Sequence, residues 1–433
     1  MSEKSFRARA LGGLALAATS ALVLAGCAAG GSTPEATRSS ECTPDATARD
    51  TFSVGSIMPI TGSLAFLGPP EIAGIGLAID DINAAGGVNG AEATLISTDS
   101  GDSSDMSVST ASAEDLIKQQ ATVVIGAPSS SVSLNVVDSF AKAGIVEISP
   151  ANTSATLSGY SQCYFRTAPP DTVQGSALGQ LIVGDGNQNV AFLVFNDAYG
   201  TGLRDSTQLA IEDGGGSVVY GGTGEGQEFP PAQTTFSSEV TAALATNPDA
   251  IVVIAFDETK SIVPELVAQG WDMSKTYFTD GNLADYSEVF EPGTLEGAKG
   301  TLPGAAPTDA LKASASAYWE KAQGEALTDW SYTAESYDAT VLAALAATLG
   351  GDNSPKSVQE NLHAVSGSDG GTVCTTYAEC VTLLKDGSNI QYQGPSSIGP
   401  FNKNNDPSSA FIGIYQFGAD NKYTFLTAVE GKS

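Results

Sequence analysis

The chain has little positive charge and a single histidine. Of its 433 residues, 19 are lysine or arginine and 49 are aspartate or glutamate, which gives a formal net charge of −30 at pH 7. Affinity for nucleic acid comes largely from basic side chains on phosphates, so this balance argues against nucleic acid as a partner. With His363 as the one imidazole, a Ser-His-Asp or Cys-His site has a single candidate base. We expect His363 to be a solvated residue of a helical segment.

Motifs for cofactors are also missing. The sequence has no G-x-x-x-x-G-K-[ST] phosphate loop, and the glycine-rich run at 221–226 lacks the spacing of a dinucleotide-binding turn. Acidic residues are plentiful, but nothing marks a pair of them for glycosidase-type catalysis. We therefore expect no enzyme activity, no catalytic residues, no cofactor and no metal site.

Long hydrophobic runs are absent except at the start of the chain. Three basic residues precede an apolar run at 11–25, which is shorter than the roughly 20 residues that a membrane-spanning helix needs. The run ends in Leu-Ala-Gly-Cys at 24–27, which has the pattern of a bacterial lipobox. In a lipobox the cysteine thiol receives the lipid.

This leader predicts a lipoprotein. We expect residues 1–26 to be a signal peptide, Cys27 to be lipidated, and residues 27–49, rich in Ala, Gly, Ser, Thr and Pro, to form a flexible tether. Acyl chains on one cysteine would anchor the protein to the outer face of a membrane. A coincidental cysteine after a signal peptide is the alternative.

Four further cysteines follow Cys27 in the sequence. An even number in an oxidising compartment favours disulfides, and four cysteines allow three pairings. Cys374 and Cys380 are close enough in sequence to close a local loop, which leaves Cys42 to fasten the N-terminal segment near Cys163. A metal site is the alternative, but the spacing contains no C-x-x-C and the chain has one histidine.

Strand and helix patterns alternate in two long stretches. From 51 to 169, short apolar runs alternate with helical patterns, and the first helix has isoleucines at spacings of three, four and three. The same rhythm restarts at 189–196 and continues to 276–279. Such alternation predicts parallel sheets covered by helices on both faces, so we expect two α/β lobes with a cleft between them. The end of the chain, from 411, predicts a β-hairpin.

Two hydroxyl-bearing loops follow neighbouring strands. The first contains Ser129 and Ser130 at the start of a helix, and the second contains Ala151 and Thr153. Hydroxyls and free backbone N–H groups at a helix start favour a carboxylate. The alternative is that the serines only cap the helix, and we expect at least one of them to do so. Because the loops follow adjacent strand ends, they predict one shared crevice.

In this order, the motifs resemble those of the amino-acid-binding proteins of bacterial ABC importers, the leucine/isoleucine/valine-binding type. The resemblance covers the chain from about residue 52 to its end. Its individual motifs are loose, and their order behind a lipobox makes them specific. They are P-I-T-G at 59–62, D-I-N-A-A-G-G at 81–87, S-P-A-N-T at 149–153, F-R-T at 165–167 and D-A-Y-G-T-G at 197–202.

The resemblance implies the periplasmic binding protein type I fold. In that α/β fold two Rossmann-like lobes are joined by a three-segment hinge. By this pattern lobe 1 comprises residues 50–169 plus about 301–390. Lobe 2 comprises residues 170–300 plus about 391–433.

The resemblance also implies roles for the loops of lobe 1. In the family, the serine-rich loop and the S-P-A-x-T loop bind the α-carboxylate of the ligand. By motif match these roles fall on Ser129 or Ser130, on the backbone of Ala151 and on Thr153.

Three residues of lobe 2 match further ligand contacts. Tyr199 would pack on the ligand, although a ring packed beside the helix start is the alternative. Phe256 matches a ligand-facing aromatic, and Asp280 matches the acid that pairs with the ligand ammonium, although Asp-Gly is also an ordinary turn. Phe66 and Leu67 stand where the family often has a hydroxylated aromatic, and Asp280 replaces a glutamate, which leaves the identity of the ligand open.

The function implied is that of an extracytoplasmic, lipid-anchored solute-binding protein. It would close around an amino acid by hinge motion and deliver it to an ABC permease, whose ATPase drives transport. A ligand sensor of a signalling system, or a binder of an amide, urea or aromatic acid, is the alternative. A secreted hydrolase on a two-lobed scaffold would need a nucleophile and base in the cleft.

Overall fold

A computed structural model describes residues 41–433. The predicted signal peptide 1–26 and the lipidated Cys27 lie outside the described residues. In the described part of the chain, no helix is long and apolar enough to cross a membrane.

The chain first builds a five-stranded parallel sheet. Its elements are β1 (Phe52–Met58), α1 (Gly68–Ala84), β2 (Ala93–Asp99), α2 (Met106–Lys118), β3 (Val123–Gly126), α3 (Ser130–Ala143), β4 (Val146–Ser149) and β5 (Tyr164–Arg166). The strand order is β2-β1-β3-β4-β5, with every neighbouring pair parallel. Three of the four isoleucines of α1 are buried, as their spacing predicted.

A second run of alternating elements follows. It comprises α4 (Asp171–Gly184), β6 (Asn189–Val194), α5 (Ala198–Asp213), β7 (Ser217–Tyr220), α6 (Ser237–Ala245), β8 (Ala250–Ile254), α7 (Thr259–Ala268), β9 (Thr276–Phe278) and β10 (Lys299–Pro303). Of these strands, β6 and β8 lie inside their sheet and are nearly continuous apolar runs, since helices cover both faces.

The last third of the chain divides between the two sheets. Its elements are α8 (Asp309–Gln323), α9 (Thr333–Gly350), α10 (Pro355–Ser366), β11 (Thr372–Cys374), α11 (Tyr377–Lys385), β12 (Ile390–Tyr392), β13 (Ser409–Phe417) and β14 (Tyr423–Lys432). Apolar residues of α9, α10 and α11 share a core with β1, β3 and β4. By contrast, β13 pairs antiparallel with β10 and with β14, which gives the second sheet the order β14-β13-β10-β9-β8-β6-β7.

This topology confirms the predicted α/β class with parallel sheets and the predicted terminal hairpin. The exact lobe boundaries stay predictions.

Helix α9 is the central helix beside the first sheet. Residues 333–347 are buried on every side, because alanines allow neighbouring helices to approach closely. At Gly74 of α1, a Cβ atom would lie 2.4 Å from the carbonyl oxygen of Thr333, so this approach requires glycine. Tyr332, just before α9, has a left-handed backbone with φ of 57°. The packing of α1 on α9 thereby fixes the position of Tyr332.

Both predicted disulfides are present. Cys42 is joined to Cys163 across 121 residues, and Cys374 is joined to Cys380 across six. The first fastens the N-terminal segment beside β5, and the second joins β11 to α11.

A fully buried ion pair is formed by the last residue of β5. Arg166 Nε donates to Asp406 Oδ1 at 2.6 Å, and its other nitrogens donate to Ser154 O and Ser158 Oγ. Removing one partner of a buried ion pair leaves the other charge buried and unpaired, which destabilises the fold. The ion pair joins the end of β5 to the segment before β13, and the other nitrogens of Arg166 hold the loop that follows β4.

We expect Asp406→Asn to lower the free energy of unfolding by about 2–3 kcal/mol, because the amide can still accept a hydrogen bond but cannot neutralise Arg166. Urea unfolding would measure the change. Asp386→Asn, at an exposed position, is the matched control. An equal, small effect of both substitutions would contradict a stabilising role for the pair.

Candidate functional site

The loops after β3 and β4 meet at one edge of the first sheet. Ser130 Oγ accepts hydrogen bonds from the backbone nitrogens of Thr153, at 3.3 Å, and Ser154, at 3.1 Å. The prediction that the two loops form one crevice is therefore confirmed.

The expectation that a serine hydroxyl caps α3 is wrong. Ser129 occupies the N-cap position, but its side chain makes no capping hydrogen bond. The Ser130 hydroxyl is used by the second loop, and Ser131 Oγ accepts from the backbone nitrogen of Ala198, at the start of α5, at 3.2 Å. The hydroxyls are thus turned away from the helix and towards other loops.

All seven residues predicted to bind ligand line one cavity between the two sheets. We call this cavity the cleft. Its free volume is about 20 Å³, which is room for one water molecule. A larger ligand can enter only when the walls move apart. The predicted residues in the wall are Ser129, Ser130, Ala151, Thr153, Tyr199, Phe256 and Asp280.

Asp280 is the one ionisable carboxylate in the wall of the cleft. It begins a short 3-10 helix after β9 and is 6% exposed. Its Oδ1 accepts from Tyr199 Oη at 2.6 Å and from Gln174 Nε2 at 2.9 Å, while Oδ2 accepts from Tyr332 Oη at 2.8 Å. The ion pairs found among residues 41–433 do not include it.

Burial sets the protonation of this group. Removal from water raises the pKa of Asp280 above its usual value, although the three neutral donors pull it back. Because no cation pairs with the carboxylate in the described chain, a positive charge brought into the cleft would find an acceptor already oriented by three hydrogen bonds.

The opposite wall carries two buried hydroxyls. Ser129 Oγ forms no hydrogen bond. Thr153 Oγ1 lies beside the buried Asp171 carboxyl and partly offsets the rise that burial causes in the pKa of Asp171. A buried hydroxyl without a partner costs free energy, so a ligand atom that accepts from it is favoured. The backbone nitrogen of Ala151 is also in this wall, where it lies 3.5 Å from Ser149 Oγ.

Aromatic rings form the floor of the cleft. The rings of Tyr199 and Phe256 are stacked, with centroids 5.6 Å apart and planes 12° apart. At Gly281 a Cβ atom would lie 2.7 Å from the Phe256 ring, so glycine there allows the ring to reach the cavity. Tyr199 packs beside the start of α5 and also lines the cavity, so the two readings of its role describe the same position.

The sequence analysis missed several wall residues. Tyr332 is the most important, because it belongs to the segment before α9 and yet bonds to Asp280, 52 positions away. Nothing in the sequence around Tyr332 signals this contact. Gln174, which is not in the wall but donates to Asp280, lies in the segment after F-R-T, and the sequence analysis gave it no role. The remaining missed wall residues are Leu64, Leu67, Pro128, Asn152 and Gly281.

His363 is less exposed than expected. Its ring packs edge-on against Phe165 and Phe401, with centroids 5.7 and 6.2 Å away. One ring nitrogen is hydrogen-bonded to Asn405 Oδ1 at 2.8 Å. His363 lies in a helix, as expected, but it is half-buried rather than fully solvated, because its ring packs between α10 and β5.

Comparison with known proteins gives the family. The model of a family described as periplasmic binding protein matches residues 51–391. The chemotactic signal transduction system substrate-binding protein BasB of Halobacterium salinarum is 27% identical over 358 residues, which are 79% of this chain and 81% of that protein. The leucine-, isoleucine-, valine-, threonine- and alanine-binding protein of Pseudomonas aeruginosa is 31% identical over 42% of this chain and 49% of that protein.

Solved structures agree on the fold. The solute-binding protein of an ABC transporter from R. palustris, in complex with 4-hydroxybenzoate, matches with a TM-score of 0.71. The match covers 89% of this chain and 98% of that chain, at 16% identity. The fold of the described chain is thus the periplasmic binding protein type I fold, as the sequence motifs predicted.

Proposed function

Because this chain belongs to the periplasmic binding protein family, we propose that it binds a small α-amino acid in the cleft without changing it chemically. The observation that supports this proposal most is that the two opposite walls of the cleft carry complementary polar groups. One wall offers the hydroxyls of Ser129, which has no partner, and of Thr153, and the other offers a buried carboxylate without a cation, at Asp280. These groups complement a carboxylate and an ammonium held a short distance apart.

The ligand would bridge the two lobes. Its carboxylate would accept from Ser129, Thr153 and the Ala151 backbone, and Ser130 would hold their loops in place. Its ammonium would pair with Asp280, and its side chain would lie against Tyr199 and Phe256. Since contacts to both walls form only when the lobes are together, binding would favour closure.

We further propose that the protein works outside the cytoplasm as a lipoprotein anchored through Cys27. In this proposal the closed form delivers its ligand to an ABC permease and its ATPase. Support comes from the leader sequence, the two disulfides and the family. Sensing is the second candidate, since BasB, which matches over most of both chains, is named as part of a chemotactic signalling system.

A ligand panel tests the amino-acid proposal. We expect free α-amino acids to raise the melting temperature of the purified protein, with about 2.7 kcal/mol of added stability at 100 times the dissociation constant. The matched N-acetyl amino acids and amino-acid amides each lack one charged group and should bind far more weakly. If the N-acetyl compounds bind as well as the free amino acids, the proposed role of Asp280 is wrong. If only aromatic acids bind, the ligand class is wrong but solute binding stands.

A further inference from the structure

A second and much larger cavity lies beside the crossing from β10 to α8. Its walls come from residues 302–307, the segment before α9, and strands β13 and β14. We call it the hinge cavity. Its free volume is about 620 Å³, within the range of roughly 300–1,000 Å³ typical of small-molecule sites. It is distinct from the cleft, although Tyr332 lines both.

Aromatic rings line much of the hinge cavity. They belong to Trp330, Tyr415 and Tyr423, and the rings of the two tyrosines are 5.4 Å apart and nearly perpendicular. Such rings offer flat apolar surfaces and negative faces, which suit an apolar or aromatic body that carries a positive charge.

Two carboxyl groups lie in the same walls, the half-buried Asp329 and the buried Glu335. Asp329 accepts from the backbone nitrogen of Ser331 at 2.7 Å and from Tyr423 Oη at 3.0 Å. Glu335 is 3% exposed, and its Oε1 has no hydrogen-bond partner. Behind them on α1, Glu71 is fully buried and both of its carboxyl oxygens lack partners.

The lysines of the hinge cavity are already engaged. Lys312 lies 5.4 Å from the centroid of the Trp330 ring, and Lys422 pairs with Asp285 at 2.8 Å. Lys422 is about half exposed. In the described chain no ion pair satisfies Glu335 or Asp329, since Lys312 lies over the Trp330 ring and Lys422 is paired with Asp285. Two carboxyl groups of the cavity are therefore left without a paired cation.

We propose that the hinge cavity is a second binding site, for a small organic cation with an aromatic or apolar body, such as an arylalkyl amine. Its ammonium would pair with Glu335, and its body would pack against Trp330 and Tyr415. This site does not depend on which ligand occupies the cleft.

The protonation of Glu335 adds a pH dependence. Burial raises its pKa to about 8, helped by the nearby Asp338. The other titratable groups around it are Glu71 on α1, Asp329 and Tyr332 before α9, and Tyr415 on β13. Lys312 of α8 lines the same cavity but does not offset the rise in the Glu335 pKa. A pKa of about 8 makes the protonated form of Glu335 the major one at pH 7. A bound ammonium would expel that proton, so amine affinity should rise as the pH is raised towards about 8.

Titration calorimetry with phenethylamine tests the proposal, with 3-phenylpropionate as the matched anion. We expect the unaltered protein to bind the amine and not the anion. Glu335→Gln should weaken binding of the amine by about 10- to 100-fold, because the hydrogen bond to a charged partner is lost. Glu320→Gln, at an exposed position of α8, is the matched control and should change nothing.

The variant Asp280→Asn distinguishes binding of the amine in the hinge cavity from binding in the cleft. If phenethylamine occupies the hinge cavity, this substitution in the cleft leaves its affinity within about twofold. Loss of binding in Asp280→Asn but not in Glu335→Gln would place the amine in the cleft and overturn the proposal. Absence of phenethylamine binding at millimolar concentrations would also overturn it.

A last measurement uses only the unaltered protein, so its result does not depend on whether a variant folds correctly. In the unaltered protein, calorimetry in two buffers of different ionisation enthalpy should show proton release when phenethylamine binds at pH 7. Binding with no proton release, and with no gain in affinity between pH 6 and 8, would contradict the assignment to Glu335.

Discussion

Replacing Asp280 with alanine is expected to abolish detectable binding of an α-amino acid, with a loss of affinity of at least about 100-fold. The physical reason is that a buried ammonium left without its carboxylate costs about 3–5 kcal/mol, and each 1.4 kcal/mol corresponds to a factor of ten. Isothermal titration with an amino acid that stabilises the unaltered protein would measure the loss.

Two further variants make this result specific. Asp280→Asn keeps the size of the side chain and an acceptor for Tyr199 or Tyr332, so it removes little besides the charge. It should also bind far more weakly than the unaltered protein. Asp213→Ala, at the exposed end of α5, is the matched control and should bind normally. Unchanged affinity in both Asp280 variants would remove this residue from the ligand site.

Removing the disulfide between Cys42 and Cys163 is expected to produce the largest loss of stability. The bridge closes a loop across 121 positions, and the loop-entropy relation gives about 5 kcal/mol for a loop of that length. In the folded state the joined segment is also hydrogen-bonded, since Asp45 donates to Gly144 O and accepts from Lys356 N. The double variant Cys42→Ala/Cys163→Ala should therefore unfold at a much lower denaturant concentration.

The second disulfide supplies an internal comparison. Cys374 and Cys380 are six positions apart, and the same relation gives only about 2 kcal/mol for their loop. Denaturant unfolding of Cys374→Ala/Cys380→Ala, under the same non-reducing conditions, should show less than half the loss of the first pair. Equal losses for the two pairs would show that local packing, rather than loop closure, accounts for the contribution of these bridges.

The alternating part of the fold was predictable because its signals are local. Apolar strands followed by helical patterns identified the sheets, and the loops with Ser129 and Thr153 were placed together because parallel strands end at one edge. Seven predicted residues line one cavity, and three of them, Tyr199, Phe256 and Asp280, were predicted only from the family motifs.

The remaining features depend on contacts between distant segments. Tyr332 reaches the cleft because α9 packs on α1 at Gly74. Neither the sequence of α1 nor that of α9 predicts this contact between the two helices. The hinge cavity is bounded by segments from 285 to 425, none of which carries a binding motif. His363 likewise looked like a surface residue because its aromatic neighbours, Phe165 and Phe401, are far away in the sequence.

The small free volume of the cleft also determines how long a bound ligand stays in it. A ligand larger than water cannot pass the closed walls, so every exit waits for a spontaneous separation that breaks the bonds from Tyr332 to Asp280 and from Ala198 to Ser131. The residence time of a ligand is then the average interval between such openings. Different ligands have the same residence time if each of them leaves the open cleft before the walls close again. A membrane partner that holds the walls apart would shorten this interval without touching the ligand.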